Sequence, residues 1–335
     1  MMSWEKVISD SMETRTAECP RGLICPLVTP LHGSRVDAAS LQRLVEHVLK
    51  DVDAILLNDP VWGEGLALAA KERLTLVEAA LDCIRGRCPV LISVTGNTSR
   101  ETALILSEFD HLIHRYNYPG PVFWVDTPIW YHSNRNLPQF YKALSLETPF
   151  EFIICNNPSF VRRFKNAVYH KNIRTSVLKK ISENNRIIGL IFTGSMKRSL
   201  VYQQAIRFHQ RFRIYDGDEK NFLERPSSSG VLAGGSNFLP APWRKITNSS
   251  LNTNDEQKTW PDRIYETWQT GNMLADFYSF YCREPASVVK QILQQMGIIS
   301  SKSTCESGEK MNESDVAGIE KLLARYGINQ GTGTK

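Results

Sequence analysis

Eight short apolar segments constrain the fold of this chain more than any other feature. They are rich in Val, Ile, Leu and Phe, and most are continuous rather than alternating, as is typical of parallel strands covered on both faces. The predicted strands are Gly22–Val28, Ala54–Asn58, Val90–Thr95, Val122–Asp126, Phe150–Asn156, Ile187–Thr193, Arg213–Asp216 and Gly230–Gly234. Because strands alternate strictly with helical segments, we predict an α/β fold of the (β/α)8 TIM-barrel type rather than an open sheet.

The segments between the strands carry helical signals. Leu41, Leu44 and Val48 repeat at the spacing of a helix that lies on a sheet. Asp37 and Ser99 are predicted N-caps. The predicted helices are Ala38–Lys50, Ala70–Ile84, Arg100–His114, Pro138–Leu144, Thr175–Glu183 and Ser199–Gln210.

A doubly wound nucleotide-binding sheet is the competing architecture. No Gly-x-Gly-x-x-Gly turn follows the first strand, and no Walker A loop occurs in the sequence, so the barrel is favoured.

Three regions are expected along the chain: an N-terminal arm at 1–20, the barrel at 21–245, and a helical region at 246–335 packed on its outside or rim. The arm lacks the apolar core of a signal peptide. Within the last region, a polar loop is predicted at Thr247–Lys258, and the segment from Ser300 to Glu313 is expected to be exposed. The helices predicted there are Asp262–Tyr281, Ala286–Met296 and Ser314–Tyr326.

Composition excludes several classes of function. The net charge of +5 is spread along the chain without a compact basic patch, which disfavours nucleic acid as a partner. No apolar stretch is long enough to predict a membrane span. The seven cysteines form no Cys-x-x-Cys pair, and no zinc-site spacing occurs, so a reduced, cytoplasmic setting without a metal or cofactor is expected.

Ordered motifs at the strand ends resemble the dihydrodipicolinate synthase / N-acetylneuraminate lyase family of Schiff-base aldolases. The first strand runs into a Pro-Leu-Val-Thr-Pro sequence, the second leads to Gly-Glu-Gly, and the seventh ends before Gly-Asp. The stretches that carry the resemblance are Gly22–Pro30, Gly63–Arg73, Gly96–Asn97, Thr127–Pro128, Asn156–Pro158, Gly217–Asp218 and Gly235–Pro240. The resemblance implies a TIM barrel, a small 2-oxo acid as substrate class, and a homodimer or homotetramer.

The same resemblance implies that the family's reactive groups are missing. The strand-six position of the Schiff-base lysine is Ile191, and the strand-five tyrosine position is Cys155. The family's threonine pair becomes Val61 and Trp62, and its tyrosine pair becomes Ile129 and Trp130. An arginine common in the synthases aligns with Phe160, whereas Glu64 of the Gly-Glu motif is retained, with an architectural role. A more apolar pocket is therefore expected, in which the two indoles partly fill the site.

Substitute reactive groups remain open. Lys197 follows Ile191 by six residues and could reach over the barrel mouth. A Cys155–His132 pair is a second possibility, and Tyr131 could supply a phenol if the loop register shifts by one residue. A metal at Asp216 and Asp218 is not favoured, because a turn before a helix explains these acids.

Three functions follow from these observations. The first is a repurposed barrel without aldolase activity that binds a small molecule or a protein. The second is an active lyase on a pyruvate-type substrate that uses a displaced residue such as Lys197. The third is a degenerate subunit in a mixed oligomer with an active homologue.

Overall fold

The computed structural model describes residues 18–164, 171–226, 228–251, 260–305 and 313–328. The predicted N-terminal arm therefore lies outside the described residues, apart from 18–20. The same holds for 252–259 of the predicted polar loop and for 306–312 of the segment expected to be exposed.

Eight parallel strands pair in chain order, and the last pairs with the first, so that the sheet closes into a barrel. They are β1 (Gly22–Pro26), β2 (Ala54–Leu57), β3 (Val90–Ser93), β4 (Val122–Asp126), β5 (Glu151–Asn156), β6 (Ile187–Phe192), β7 (Arg213–Asp216) and β8 (Gly230–Leu232). Each predicted strand is present within two residues at either end. The predicted TIM barrel is confirmed.

The barrel interior is a packed core. Alternate strand residues point inward and form one buried cluster, which includes Leu56, Phe123, Ile153 and Tyr215. The residues between them point outward and pack against the helices in a second cluster. Filling of the interior by large side chains is expected for a barrel of eight strands, and it leaves the strand ends as the place for a site.

The helices between and after the strands surround this sheet. They are α1 (Ala38–Val48), α2 (Ala70–Ile84), α3 (Ser99–Tyr116), α4 (Leu137–Leu144), α5 (Pro158–Phe164), α6 (Thr175–Ser182), α7 (Met196–Ile206), α8 (Glu219–Glu224), α9 (Pro240–Leu251), α10 (Trp260–Tyr281), α11 (Pro285–Gln295) and α12 (Glu313–Arg325). A short two-stranded hairpin, Leu31–His32 with Arg35–Val36, precedes α1.

Two N-cap predictions have different outcomes. Asp37 caps α1, because its carboxylate accepts a hydrogen bond from the Ser40 backbone N–H at 3.1 Å. The N-cap of α3 is Thr98 rather than Ser99, since the Thr98 hydroxyl accepts from the Glu101 backbone N–H at 3.1 Å. Thr98 has the extended backbone of a cap, which places Ser99 in the first turn of the helix.

The loop predicted from Thr247 is helical as far as Leu251. Helix α9 begins at Pro240, a residue that suits a first helical turn, and it buries Trp243, Ile246 and Thr247 at helical spacing. The polar Asn and Ser residues of this segment had suggested a loop. The helix also spans the boundary expected at residue 245.

Helices α10 and α11 begin and end within two residues of their predicted bounds. This C-terminal region also contacts the barrel. Arg43 on α1 donates from Nε to the Ile298 carbonyl at 2.9 Å, and the Ser300 backbone N–H donates to the Ser40 hydroxyl at 3.0 Å. These bonds fix the segment after α11 against the first βα unit. Within the described ranges, no helix has the length and apolar character needed to cross a membrane.

Candidate functional site

A small cavity lies where the carboxyl ends of the strands meet, the end at which TIM barrels carry their active sites. Its volume is about 20 Å³, little more than one water molecule needs. The described residues that line it are Asp59, Pro60, Val61, Trp62, Thr127, Cys155, Asn157, Phe160, Ile191, Thr193, Gly217 and Leu232. We call this space the inner cavity. It brings together five of the predicted site residues, namely Val61, Trp62, Cys155, Phe160 and Ile191.

Ile191 and Cys155 lie side by side on neighbouring strands in the barrel interior. They are directly paired in the β5–β6 register, and Ile191 also pairs with Tyr215 on β7. Ile191 is 1 % exposed and Cys155 is 8 % exposed. Burial raises the pKa of the Cys155 thiol to about 12, so the thiol stays protonated at neutral pH and is a poor nucleophile.

A tight turn after β2 positions Val61 and Trp62. One carboxylate oxygen of Asp59 accepts hydrogen bonds from the backbone N–H groups of both residues, each at 2.8 Å. Such a turn is characteristic of Asp followed by Pro, which here is Pro60. Burial raises the pKa of Asp59, although the two N–H donors lower it in part. The Asp59 carboxylate therefore occupies both of these backbone N–H donors at the wall of the inner cavity.

Two aromatic pairs narrow the barrel mouth. The Trp62 ring packs on Gly234, where an added Cβ would lie 2.2 Å from the indole, and edge-on against Tyr281 with ring centres 5.9 Å apart. The Trp130 and Phe160 rings are 4.8 Å apart. Each pair contains one of the two indoles that were predicted to fill the site, Trp62 and Trp130.

A larger groove lies above the inner cavity, between the barrel mouth and the helices α10 and α11. Its volume is about 880 Å³, within the range of small-molecule sites. The described residues that line it are Pro60, Val61, Trp62, Glu64, Leu66, Ala67, Asn97, Trp130, Asn157, Ser159, Phe160, Thr193, Gly217, Asp218, Glu219, Tyr278, Cys282, Glu284, Pro285, Ala286, Ser287 and Thr304. We call this space the outer groove. The two spaces adjoin, because seven residues line both of them: Pro60, Val61, Trp62, Asn157, Phe160, Thr193 and Gly217.

Glu64 holds the C-terminal helices against the wall of the outer groove. Its carboxylate accepts a hydrogen bond from Lys290 Nζ on α11 and another, at 2.7 Å, from the Cys305 backbone N–H. Lys290 is fully buried, and burial lowers its pKa, although the Glu64 charge acts in the opposite direction. Both oxygens of the Glu64 carboxylate thus have partners within the protein.

Glu219 forms a second buried carboxylate centre, at the wall of the outer groove. Its Oε1 accepts hydrogen bonds from the backbone N–H of Gly234 at 2.6 Å and of Gly235 at 3.2 Å, and its other oxygen accepts from the Tyr281 hydroxyl. Burial raises the pKa of Glu219 to about 7 despite these three donors. This contact ties β8 to the end of α10.

The proposed substitute groups lie elsewhere. Lys197 is exposed in the first turn of α7 and is not among the described residues that line either space. The His132 ring packs against Phe140, with its Nδ1 2.6 Å from the Ser133 carbonyl, and it does not contact Cys155 in the described hydrogen bonds. The Tyr131 hydroxyl donates to the buried carboxylate of Asp126 at 2.6 Å instead of facing the cavity.

The acids at and after the end of β7 have structural partners. Asp216 accepts a hydrogen bond from the Ser228 hydroxyl at 2.9 Å. Asp218 caps α8 by accepting from the backbone N–H groups of Lys220 and Asn221. Across the described part of the chain, no group of three His, Cys, Asp or Glu side chains has the geometry of a metal site.

Several residues of the site escaped the sequence analysis. Asp59 could have been found from its Asp-Pro turn immediately before the Val61–Trp62 pair. Lys290 carries no local signal, because its partner at the barrel mouth, Glu64, is remote in sequence.

Comparison with known proteins agrees with this architecture. A sequence model of the Dihydrodipicolinate synthetase family matches residues 19–316. The 4-hydroxy-tetrahydrodipicolinate synthase of Shewanella piezotolerans is 26 % identical over 293 residues, which cover 83 % of this chain and 89 % of that protein. A second synthase, from Clostridium acetobutylicum, is 22 % identical over 289 residues, covering 84 % and 92 % of the two chains.

Solved structures show the same fold. Dihydrodipicolinate synthase from Aquifex aeolicus superposes with a TM-score of 0.77 at 20 % identity and covers 93 % of this chain and all of that one. A prophage protein of the dihydrodipicolinic acid synthase family from E. coli K12, solved in complex with pyruvate, gives a TM-score of 0.75 at 18 % identity, covering 92 % and 99 %. Because the family match extends over most of the chain, this protein belongs to the dihydrodipicolinate synthetase family.

Proposed function

We propose that this protein is a repurposed member of its family that binds a small molecule in the outer groove and forms no imine with a 2-oxo acid. The observation that carries the proposal is the lining of the inner cavity, whose described residues include no amine. Ile191 and Cys155 occupy the floor of that cavity. An aldolase of the Schiff-base type requires a nucleophilic amine beside the substrate carbonyl.

Space supports the same proposal. The inner cavity of about 20 Å³ is several times too small for even a three-carbon 2-oxo acid. The outer groove of about 880 Å³ is large enough for a metabolite and is lined by both aromatic and polar side chains. We therefore propose that the ligand binds in the outer groove beneath α10 and α11 and not in the inner cavity at the strand ends.

An active lyase is the second candidate. The curated relatives are named as 4-hydroxy-tetrahydrodipicolinate synthases, and one structural relative is solved in complex with pyruvate. Lys197 lies in the helix that directly follows β6, at the carboxyl end of the barrel. In this alternative, Lys197 would supply the amine after a rearrangement of the first turn of α7.

A fragment screen by ligand-observed NMR tests whether the outer groove binds ligands. Ser287→Trp places an indole in the groove, and Ser279→Trp adds the same bulk to an exposed face of α10 outside the described lining. We expect most bound fragments to lose their signal with Ser287→Trp and to keep it with Ser279→Trp. Fragments that bind both variants equally would refute the groove as the ligand site.

The assembly and compartment are part of the proposal. A homodimer or homotetramer is expected, and the exposed apolar side chains of Ile264, Tyr265 and Trp268 on α10 support a contact of this kind. All seven cysteines are free thiols, which supports a reducing compartment such as the cytoplasm. Light scattering coupled to gel filtration measures the assembly directly.

A further inference from the structure

Two asparagine side chains that line the outer groove are oriented by their contacts with the protein. The Oδ1 of Asn97 accepts a hydrogen bond from the indole N–H of Trp130 at 3.2 Å. The Oδ1 of Asn157 accepts one from the backbone N–H of Phe160 at 3.0 Å. Because an indole N–H and a backbone N–H can only donate, each carboxamide uses its oxygen for the protein and keeps its NH2 group as a donor.

These two NH2 groups are available to a ligand. Neither has a hydrogen-bond partner within the described part of the chain. Asn97 is exposed, whereas Asn157 is half-buried and lines the inner cavity as well as the outer groove. A donor that is partly shielded from water gains more from a ligand acceptor, so Asn157 is the stronger of the two binding groups.

Aromatic rings lie next to these donors. The Trp130 and Phe160 ring centres are 4.8 Å apart, the rings are tilted by 31°, and both residues line the outer groove. Each of the two residues is hydrogen-bonded to one of the asparagines, so the ring pair and the two NH2 groups belong to one wall. A flat aromatic ligand can bury apolar area against such a pair while an acceptor atom reaches an NH2 group.

The same space offers no cation to an anionic ligand. Its described lining contains no Lys, Arg or His. Lys290 lies behind the wall, but its side chain is fully buried and is already paired with Glu64. A ligand carboxylate in the groove would lose water without gaining an ion pair, which is unfavourable.

From these contacts we infer that the outer groove binds a neutral aromatic compound that carries a carbonyl oxygen, such as an aryl ketone or an aryl amide, in preference to a carboxylate. The carbonyl oxygen accepts a hydrogen bond from Asn157 Nδ2, and the ring packs against Trp130 and Phe160. This inference rests on the proposed function, because it assigns a ligand class to the groove that the proposal identifies as the binding site.

Three probes of nearly equal shape test the inference by ligand-observed NMR titration of the full-length chain: acetophenone, benzoate and α-methylstyrene. Acetophenone has a methyl group in place of one carboxylate oxygen of benzoate, and α-methylstyrene has a CH2 group in place of the ketone oxygen. We expect acetophenone to bind about tenfold or more tightly than benzoate, whose charge has no partner in the groove. Benzoate binding equal to or tighter than acetophenone binding would overturn the inference.

Variants of Asn157 locate the hydrogen bond. Asn157→Asp and Asn157→Ser both keep an oxygen that can accept from the Phe160 backbone N–H, and both remove the NH2 group. Each should weaken acetophenone about three- to tenfold, the effect of one hydrogen bond, and leave α-methylstyrene unchanged because that hydrocarbon has no acceptor. Asn272→Asp, at an exposed position of α10 outside the described lining, is the matched control and should have no effect. Unchanged acetophenone affinity in either Asn157 variant, or an equal loss of both probes, would also overturn the inference.

The outcomes separate this inference from the proposed function. If Asn157→Asp leaves the binding of acetophenone and of α-methylstyrene unchanged, and both are lost in Ser287→Trp, the groove remains the ligand site and the carbonyl contact is refuted. If none of the three probes binds at millimolar concentration, both the inference and the groove as a ligand site are contradicted.

Discussion

Replacement of Lys290 by Met should destabilise the protein by about 3–5 kcal/mol, because it leaves a buried charge without its partner. The side chain of Lys290 is fully buried, whereas that of Glu64 is 10 % exposed. Lys290 Nζ donates to the Glu64 carboxylate and to the Ser303 carbonyl, the latter at 2.8 Å. Methionine keeps most of the apolar stem but removes the cation, so that Glu64 must either stay ionised in a poorly solvated site or take up a proton.

Urea denaturation of a set of four variants measures this cost. Glu64→Gln should also destabilise the protein, and the double variant should be more stable than the sum of the two single losses predicts, with a coupling of about 2–3 kcal/mol. Lys302→Met is the control, since Lys302 is an exposed lysine on the segment after α11 that hydrogen-bonds only Gln291 among the described contacts. Single losses below about 1 kcal/mol, or strictly additive effects, would refute the view that this ion pair anchors the C-terminal helices.

Three further predictions test the walls of the site. Gly234→Ala should cost about 1–3 kcal/mol because its Cβ would lie 2.2 Å from Trp62, whereas Gly271→Ala meets no atom within 4 Å and should be neutral or stabilising; thermal denaturation compares them. Asp59→Ala removes the acceptor for two backbone N–H groups and should cost about 2 kcal/mol in the same assay, and Asp59→Asn should recover most of that loss. Burial raises the pKa of Glu219 from 4.5 to about 7, so the folded state retains a proton that the unfolded chain loses, and the unfolding free energy should fall by about 3 kcal/mol between pH 4.5 and pH 7. Glu219→Gln should remove this part of the pH dependence, and an unchanged profile would contradict the assignment.

The fold followed from local patterns because strand periodicity is encoded within each segment. Strands β4 and β7 have the predicted bounds, since turn residues directly follow them, Thr127 and Pro128 after β4 and Gly217 after β7. Helix α9 was missed because its Asn and Ser residues lie toward the end of the helix and outweighed the buried spacing of Trp243 and Ile246. Local composition does not predict the secondary structure of a segment where burial against the rest of the fold decides whether that segment is helical.

The site was accessible to sequence reasoning only in part. Motif order brought Ile191, Cys155 and Trp62 to one cavity, because neighbouring parallel strands end at the same edge of the barrel. The contacts of Glu64 with Lys290 and of Glu219 with Tyr281 join residues 226 and 62 positions apart, and no periodicity encodes such pairs. The volume of the outer groove likewise depends on where α10 and α11 pack.

Borohydride trapping with pyruvate tests the central claim, that this barrel forms no imine, most directly. The wild-type protein is incubated with excess pyruvate, reduced with borohydride and measured by intact-mass spectrometry, with the Aquifex aeolicus synthase as positive control. We predict an unchanged mass for this protein and a shift of one reduced pyruvyl group for the control. A stable adduct on any lysine would contradict the account, and its absence in Lys197→Met would establish the displaced-lysine lyase instead.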